Sequence, residues 1–196
     1  MWQQSLYPEE QRYTQGMVDK RRAEFQAGRA CARRVLAELD VVYFPLLRNE
    51  DRAPIWPTGV VGSISHCDDV CWAVAAKTNE VQGLGADVEA VRSDINLPVE
   101  LICSDGEALV ALAAQFDCSV SLKLVFSAKE SVMKAYYSAT GALLEFLDIC
   151  LHFDDISRQF EVISIRNATF RVKSLTGRYF INESHIFTAA EIIVAD

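Results

Sequence analysis

One order of patterns occurs twice along the chain and constrains the fold more than any other feature: a helical period, then runs of strand period. Over 18–39 the residues Phe25, Gly28, Ala32, Val35, Leu36 and Leu39 recur at helical spacing. Two β-type runs follow at 60–65 and 70–76, flanking His66-Cys67-Asp68-Asp69, which reads as a hairpin turn. A third short strand is expected at 84–88, just after glycines. Helical patterning returns at 107–116 and over 127–138. Beyond residue 144 the texture becomes that of strands, at 146–153, 160–165, 169–175, 179–182 and 186–194. Helices and strands grouped in this way indicate an α+β protein of two similar halves packed face to face. The break falls near 90–105, so residues 1–100 form an N-terminal half and 101–196 a C-terminal half of one compact unit.

Composition narrows the function classes. Half the residues, 51%, are apolar, enough for a sizeable core without staples. The six cysteines form no CxxC pair, so free thiols in a reducing, cytoplasmic setting are expected. No run of eighteen apolar residues exists and the first ten residues have no secretory pattern, so neither a membrane span nor a signal segment is expected. A net charge of −8 argues against nucleic acid or an anionic membrane as general partner. The charge is uneven: 20–52 holds eight basic residues, whereas 80–117 holds eight acids and one arginine. Such a layout places a polyanion site beside a cation site, or arises by chance.

Four motifs have chemistry to offer, each with a plainer structural account. In Gly83-Leu84-Gly85-Ala86-Asp87-Val88-Glu89, alternation along a strand puts Asp87 and Glu89 on one face. Two carboxylates together suit a hard divalent ion such as magnesium, or are a solvated strand end. In Phe126-Ser127-Ala128-Lys129-Glu130-Ser131-Val132-Met133-Lys134, Ser127 and Glu130 have the spacing of a capping box. Glu130 and Lys134 form an i,i+4 pair of favourable orientation. The chemical account makes Glu130 a third metal ligand or a general base, with Lys134 meeting a phosphate. In Val61-Gly62-Ser63-Ile64-Ser65-His66, small residues admit a ligand and His66 can donate to a phosphate, or His66 is an ordinary turn residue. Arg22, Arg29 and Arg33 share one helical stripe, fit to grip a phosphate or to be solvated.

Together and in this order, the motifs resemble the surfactin-synthetase and enterobactin-synthase type of 4′-phosphopantetheinyl transferase, most closely the enterobactin-synthase branch. The likeness is carried by Arg22-Ala23-Glu24-Phe25, Gly28-Arg29-Ala30-Cys31-Ala32-Arg33 and Arg52-Ala53-Pro54-Ile55-Trp56-Pro57-Thr58-Gly59. It continues through Gly62-Ser63-Ile64-Ser65-His66, Gly85-Ala86-Asp87-Val88-Glu89 and the Ser127 to Lys134 motif about forty residues further on. The resemblance implies a pseudo-twofold fold, each half a helix on a small antiparallel sheet, with coenzyme A in the cleft between them. It implies magnesium held by Asp87, Glu89 and Glu130, and Lys134 on the pyrophosphate. Ser65 and His66 would face the adenosine 3′-phosphate and ribose, with Arg29, Arg33 and Arg52 as further phosphate contacts. The activity implied is transfer of phosphopantetheine from coenzyme A to a serine of an apo acyl, peptidyl or aryl carrier protein, releasing 3′,5′-ADP. Siderophore, nonribosomal peptide or polyketide assembly lines are the expected setting, and the protein is expected to be a monomer. Glu130 is the expected base. The rival readings are a coenzyme A- or nucleotide-binding module without catalysis, and a structural protein whose motifs are caps and turns.

Between the acidic motifs, Leu97, Leu101, Ile102, Leu122 and Leu124 are interrupted by polar residues and Pro98. They are expected to form an apolar docking patch for the carrier, with Lys123 and Lys129 at its rim.

Overall fold

A computed structural model of the chain describes residues 5–92, 98–103, 112, 115–166, 168 and 174–193. A short helix, α1 (Pro8–Gln11), and a 3-10 turn, Arg12–Thr14, lead into the long helix α2 (Asp19–Glu38). The hairpin β1 (Val60–Cys67) and β2 (Val70–Lys77) follows, paired antiparallel across a turn in which Asp68 has φ 49°. The strand runs past the expected end at 65, so His66 is a strand residue opposite Cys71 rather than part of the turn. Next come β3 (Gly83–Ala90), the short α3 (Val99–Ile102) and the second long helix α4 (Cys118–Thr140). Four strands complete the described chain: β4 (Ile149–Asp154), β5 (Gln159–Ile165), β6 (Ser174–Ile181) and β7 (His185–Ile193).

The architecture is α+β, with antiparallel pairing throughout. One sheet is the β1–β2 hairpin; the other has the order β3-β7-β6-β5-β4. Helix α2 packs on the hairpin, where Ala32, Leu36 and Leu46 are buried against Trp56, Val60 and Ile64. Helix α4 packs on the five-stranded sheet and buries Leu124, Val125, Ala128, Val132, Ala135 and Tyr136 against Ile186, Ala190 and Ile192. Strand β3, which the sequence groups with the N-terminal half, is hydrogen-bonded to β7 along its whole length.

The glycines before Asp87 serve this packing. A Cβ on Gly85 would fall on the carbonyl oxygen of Ser131, and one on Gly83 on that of Ala135. Only glycine lets β3 approach the backbone of α4 so closely. Gly177 acts likewise: a Cβ there would enter the ring of Phe160. That explains why the expected strands at 169–175 and 179–182 are, over their described part, a single strand β6 with a packing glycine inside it. The expected helix at 107–116 lies almost wholly outside the described residues, as does Leu97. Phe146 begins a 3-10 turn, Phe146–Asp148, ahead of β4.

Helix α4 starts nine residues before the expected 127. Its N-cap is Asp117, whose carboxylate accepts from the backbone N–H of Val120 at 2.9 Å. The Ser127/Glu130 capping box is therefore absent, because Ser127 lies well inside the helix and its hydroxyl is used elsewhere. The docking patch is overturned in part as well. Leu124 is fully buried, and Lys123 and Lys129 are buried rather than at a rim. Lys123 donates to the carbonyl of Val91, and Lys129 to those of Ile102 and Phe146 at 2.7 and 2.8 Å. These two lysines tie the connecting segment to α4. Leu101 is exposed and Ile102 is core.

Candidate functional site

The two sheets meet where β1 passes β3, and serine hydroxyls rather than a backbone ladder make the join. Ser63 and Ser65 lie two apart on β1 and so face the same way. Ser63 Oγ donates to Ala86 O at 3.5 Å; Ser65 Oγ donates to Asp87 Oδ1 at 2.9 Å and accepts from Val88 N at 3.3 Å. From the opposite side, Ser127 Oγ of α4 donates to Asp87 Oδ2 at 2.8 Å and sits 2.9 Å from Thr188 Oγ1 on β7. Lys134 Nζ also of α4 reaches Asp87 Oδ1 at 2.7 Å and lies 3.7 Å from Glu130 Oε2. Asp87, only 4% exposed, is thus the point at which β1, β3 and α4 converge. A buried carboxylate is stable there because a cation and two hydroxyls replace its water.

Glu89 and Glu130 are differently placed. Burial, and then the charge of Asp87, push Glu89 up to about 7. Burial pushes Glu130 above the usual carboxylate range, with Lys134 opposing the rise. Asp87, Glu89 and Glu130 act on one another electrostatically, as three carboxylates around one space must. Among the described residues no three His, Cys, Asp or Glu side chains form a cage of their own. Magnesium does not require one, since it takes one or two carboxylates and fills its octahedron with phosphate oxygens and water. Two carboxylates raised chiefly by burial, each beside Asp87, fit such an ion, whose charge would favour their ionised form.

The cationic side of the site lies on α2 and the loop after it. Arg29 is 5% exposed, with its guanidinium 4.3 Å over the ring of Phe25; among the described residues its Nε and one terminal nitrogen have no hydrogen-bond partner. Arg48 lies over the same ring at 4.6 Å. Burial, then Arg48, lower Arg29 to about 10. Arg48 is itself lowered, first by burial and then by Arg21 and Arg52. Glu10 offsets part of the crowding at Arg29 and Glu24 pairs with Arg21 at 3.1 Å, and the remaining cationic excess suits an anion. Arg21 NH1 lies 2.8 Å from His66 Nε2, and burial lowers His66 despite the nearby Glu24. His66 also feels Lys134 and Asp87, which places it between the two sides of the site.

The arginine stripe of α2 is divided by the fold. Arg33 pairs at 3.1 Å with Glu10, a fully buried carboxylate that also accepts from the N–H groups of Tyr7 and Leu46 at 3.0 Å each. Arg22 stays at the surface beside Asp19 at 3.7 Å. Asp87, Glu89, Glu130, Lys134, Ser65 and His66 are brought together; Arg52 lines the same cavity as Glu130 and Lys134, Arg29 lies apart over Phe25, and Arg33 is paired with Glu10. Sequence reasoning missed the roles of Ser127, Thr188 and Arg48. Ser127 was readable only as a cap, and nothing local marks Thr188 or Arg48.

A cavity of about 650 Å³ opens beside these groups, between the loop that carries Asn49, Asp51 and Arg52 and the α4 face that carries Glu130 and Lys134. Trp56, Met133, Leu143 and Leu144 give it an apolar lining. Fold and site define an α+β protein with a cleft that has Glu130 and Lys134 on its helical wall and Asp51 and Arg52 on the loop opposite. Comparison with known proteins gives the class a family. The 4′-phosphopantetheinyl transferase N-terminal domain matches residues 9–76, and the 4′-phosphopantetheinyl transferase superfamily matches residues 83–191. The 4′-phosphopantetheinyl transferase Svp of Streptomyces mobaraensis is 34% identical over 198 residues, spanning 95% of this chain and 78% of that one. The 4′-phosphopantetheinyl transferase PptT of Mycobacterium tuberculosis is 32% identical over 197 residues, spanning 93% and 84%. Enterobactin synthase component D of Salmonella typhi is 39% identical over a shorter stretch of 120 residues, 60% of this chain and 49% of that one. The chain belongs to the 4′-phosphopantetheinyl transferase superfamily.

Proposed function

We propose that the protein transfers the 4′-phosphopantetheine moiety of coenzyme A to a serine hydroxyl of an apo acyl, peptidyl or aryl carrier protein. The observation that carries this reading is the meeting of the buried Asp87 with Glu89, Glu130 and Lys134, the last two of which face the same cavity as Arg52. In the reaction the serine oxygen bonds to the β-phosphorus of coenzyme A, and the bond to the bridging oxygen breaks. That oxygen keeps the electron pair and leaves as part of 3′,5′-ADP. Charge gathers on phosphoryl oxygens, so fixed cations are the useful catalysts.

Glu130 is the base for the serine proton: a carboxylate raised by burial is closer in basicity to the hydroxyl it must activate. Lys134, poised between Asp87 and Glu130, is the cation for the pyrophosphate. Glu89 and Glu130, with Asp87 behind them, are the residues that would hold magnesium. When bound, the ion supplies charge to the phosphate oxygens and relieves the repulsion among the carboxylates. Arg29 and Arg52 contact phosphates, and His66 and Ser65 lie against the 3′-phosphate and ribose region. Arg33 supports this set through Glu10 rather than by direct contact. The same reading makes the protein a cytoplasmic monomer with two pseudo-twofold-related halves, serving siderophore, nonribosomal peptide or polyketide synthesis. Among the described residues no helix is long and apolar enough to cross a membrane.

The test is mass spectrometry of an apo carrier incubated with the protein, coenzyme A and magnesium. A gain equal to phosphopantetheine on the carrier serine is the expected result. Binding of coenzyme A with no gain on any carrier type would leave the non-catalytic module instead.

A further inference from the structure

Glu130, Met133, Lys134 and Tyr137 stand at i, i+3, i+4 and i+7 on α4, and therefore share one face. All four line the cavity. Glu130 and Lys134 have parts in the proposed reaction; Tyr137 has none so far. Opposite that face, residues 48–54 form a tight loop. Arg48 and Pro54 bridge, Asn49 N donates to Ala53 O at 3.0 Å, Arg52 N to Asn49 O at 3.0 Å, and Ala53 N to Asn49 Oδ1 at 2.8 Å. Arg52 sits in the left-handed region at φ 65°, a conformation that costs a non-glycine residue and persists only where the surroundings enforce it.

Tyr137 supplies that enforcement. Its hydroxyl donates to Asp51 Oδ2 at 2.6 Å and accepts from Asn49 Nδ2 at 2.7 Å. Donor and acceptor capacities of the phenol are both taken up by one loop more than eighty residues away in the chain. The loop carries Arg48 and Arg52, the helix carries Glu130 and Lys134, and this clasp sets the distance between them.

We propose that Tyr137 is a positioning residue for the phosphate donor: its clasp on Asn49 and Asp51 holds residues 48–54 against α4 and so fixes Arg48, Arg52 and the cavity wall relative to Glu130 and Lys134. The proposal rests on the reading of this cleft as the coenzyme A site. Its hydrogen bond to Asp51 also raises the phenol above its ordinary value, so the hydroxyl remains a donor at any physiological pH.

The experiment compares Tyr137→Phe, Asp51→Ala and the double variant, by steady-state kinetics and by amide hydrogen exchange. Tyr137→Phe keeps the ring and removes only the clasp. It is expected to raise the KM for coenzyme A about tenfold, as expected for a lost hydrogen bond to a charged group. The kcat and the KM for carrier should stay within about twofold, since no group that acts in the transition state is touched. Exchange at Arg52 and Ala53 should quicken, while that of α4 stays as in the parent. The double variant should be no worse than the more impaired single, because both remove one unit. An unchanged KM for coenzyme A, a fall in kcat at constant KM, or additive losses would overturn the proposal. A parent that modifies no carrier refutes the reaction rather than the clasp. In that case exchange unaltered by Tyr137→Phe refutes the clasp, and altered exchange with unaltered coenzyme A affinity refutes its role in donor binding.

Discussion

The two long helices carry their charged residues in opposite ways. On α2 the fold answers most of the charge locally: Arg33 covers the buried Glu10 with one nitrogen to spare, Arg22 stays outside with Asp19, and Arg29 is buried with two nitrogens unpaired among the described residues. On α4 Lys134 is shared between Asp87 of β3 and Glu130, and burial raises Glu130. A stripe of like residues along a helix therefore says little about function. What marks a site is a charge that the fold has buried and left incompletely answered. By that standard the proposed reaction has α4 with β3 as its reacting side and Arg29 with Arg48 as its holding side.

The largest expected effect lies at Asp87, where β1, β3 and α4 converge. Asp87→Ala should abolish measurable transfer and also destabilise the protein by about 3–5 kcal/mol, because Lys134 loses its buried partner and two hydroxyls lose their acceptor. Denaturant melts and carrier assays check the two parts; a fully stable variant would mean that Asp87 is not the structural junction described. Glu130→Gln should act on rate alone. Transfer is expected to fall by about 10²–10⁴, with the melting temperature unchanged, since Glu130 caps nothing. Parent-like turnover would remove Glu130 from the reaction.

Arg29 and Arg33 sharpen the contrast within α2. Arg29→Ala should weaken coenzyme A binding by about 1.5–3 kcal/mol and leave stability little changed. Arg33→Ala should do the reverse: it strands Glu10 in the core, at a stability cost of about 3 kcal/mol or more. Calorimetric titration and thermal melts on the same two variants decide the matter, and equal binding losses at equal stability would erase the distinction.

The smallest effect is a slope in pH. Glu89 has a folded value of about 7, above its ordinary value, so the folded state binds more protons than the unfolded state between about 4.5 and 7. Stability of the metal-free protein should consequently decline as pH rises through that window, and remain at the lower level above it. Glu89→Gln should flatten this part of the profile. A parent whose stability climbs over the same range would contradict the placement of Glu89 beside Asp87.

Much of the reacting side was legible because its spacing is local. Asp87 and Glu89 share a face by strand alternation, and Glu130 and Lys134 by one helical turn, whatever the fold around them. The long helix and the hairpin were legible for the same reason. The capping box failed because Ser127 and Glu130 match a local pattern, while the helix, with Ser121 and residues 123–125 buried, continues backward to Asp117. Ser127 is chosen by Asp87, forty residues away in sequence, and no local pattern encodes that contact. Arg33 with Glu10, Tyr137 with Asp51 and Arg48 over Phe25 are likewise tertiary pairings. The close approach of α4 to Gly85 is another tertiary contact that no local pattern encodes.

The central claim is that one ligand bridges a metal-holding side and a phosphate-holding side. The most direct test is a calorimetric titration of coenzyme A with and without magnesium, on the parent, Glu89→Gln and Arg29→Ala. The account predicts that magnesium tightens coenzyme A binding in the parent, and that coenzyme A tightens magnesium binding by the same factor. Glu89→Gln should lose that coupling, whereas Arg29→Ala should bind coenzyme A more weakly by a constant factor and keep it. Coenzyme A affinity indifferent to magnesium in the parent, or coupling lost in Arg29→Ala and kept in Glu89→Gln, would contradict it.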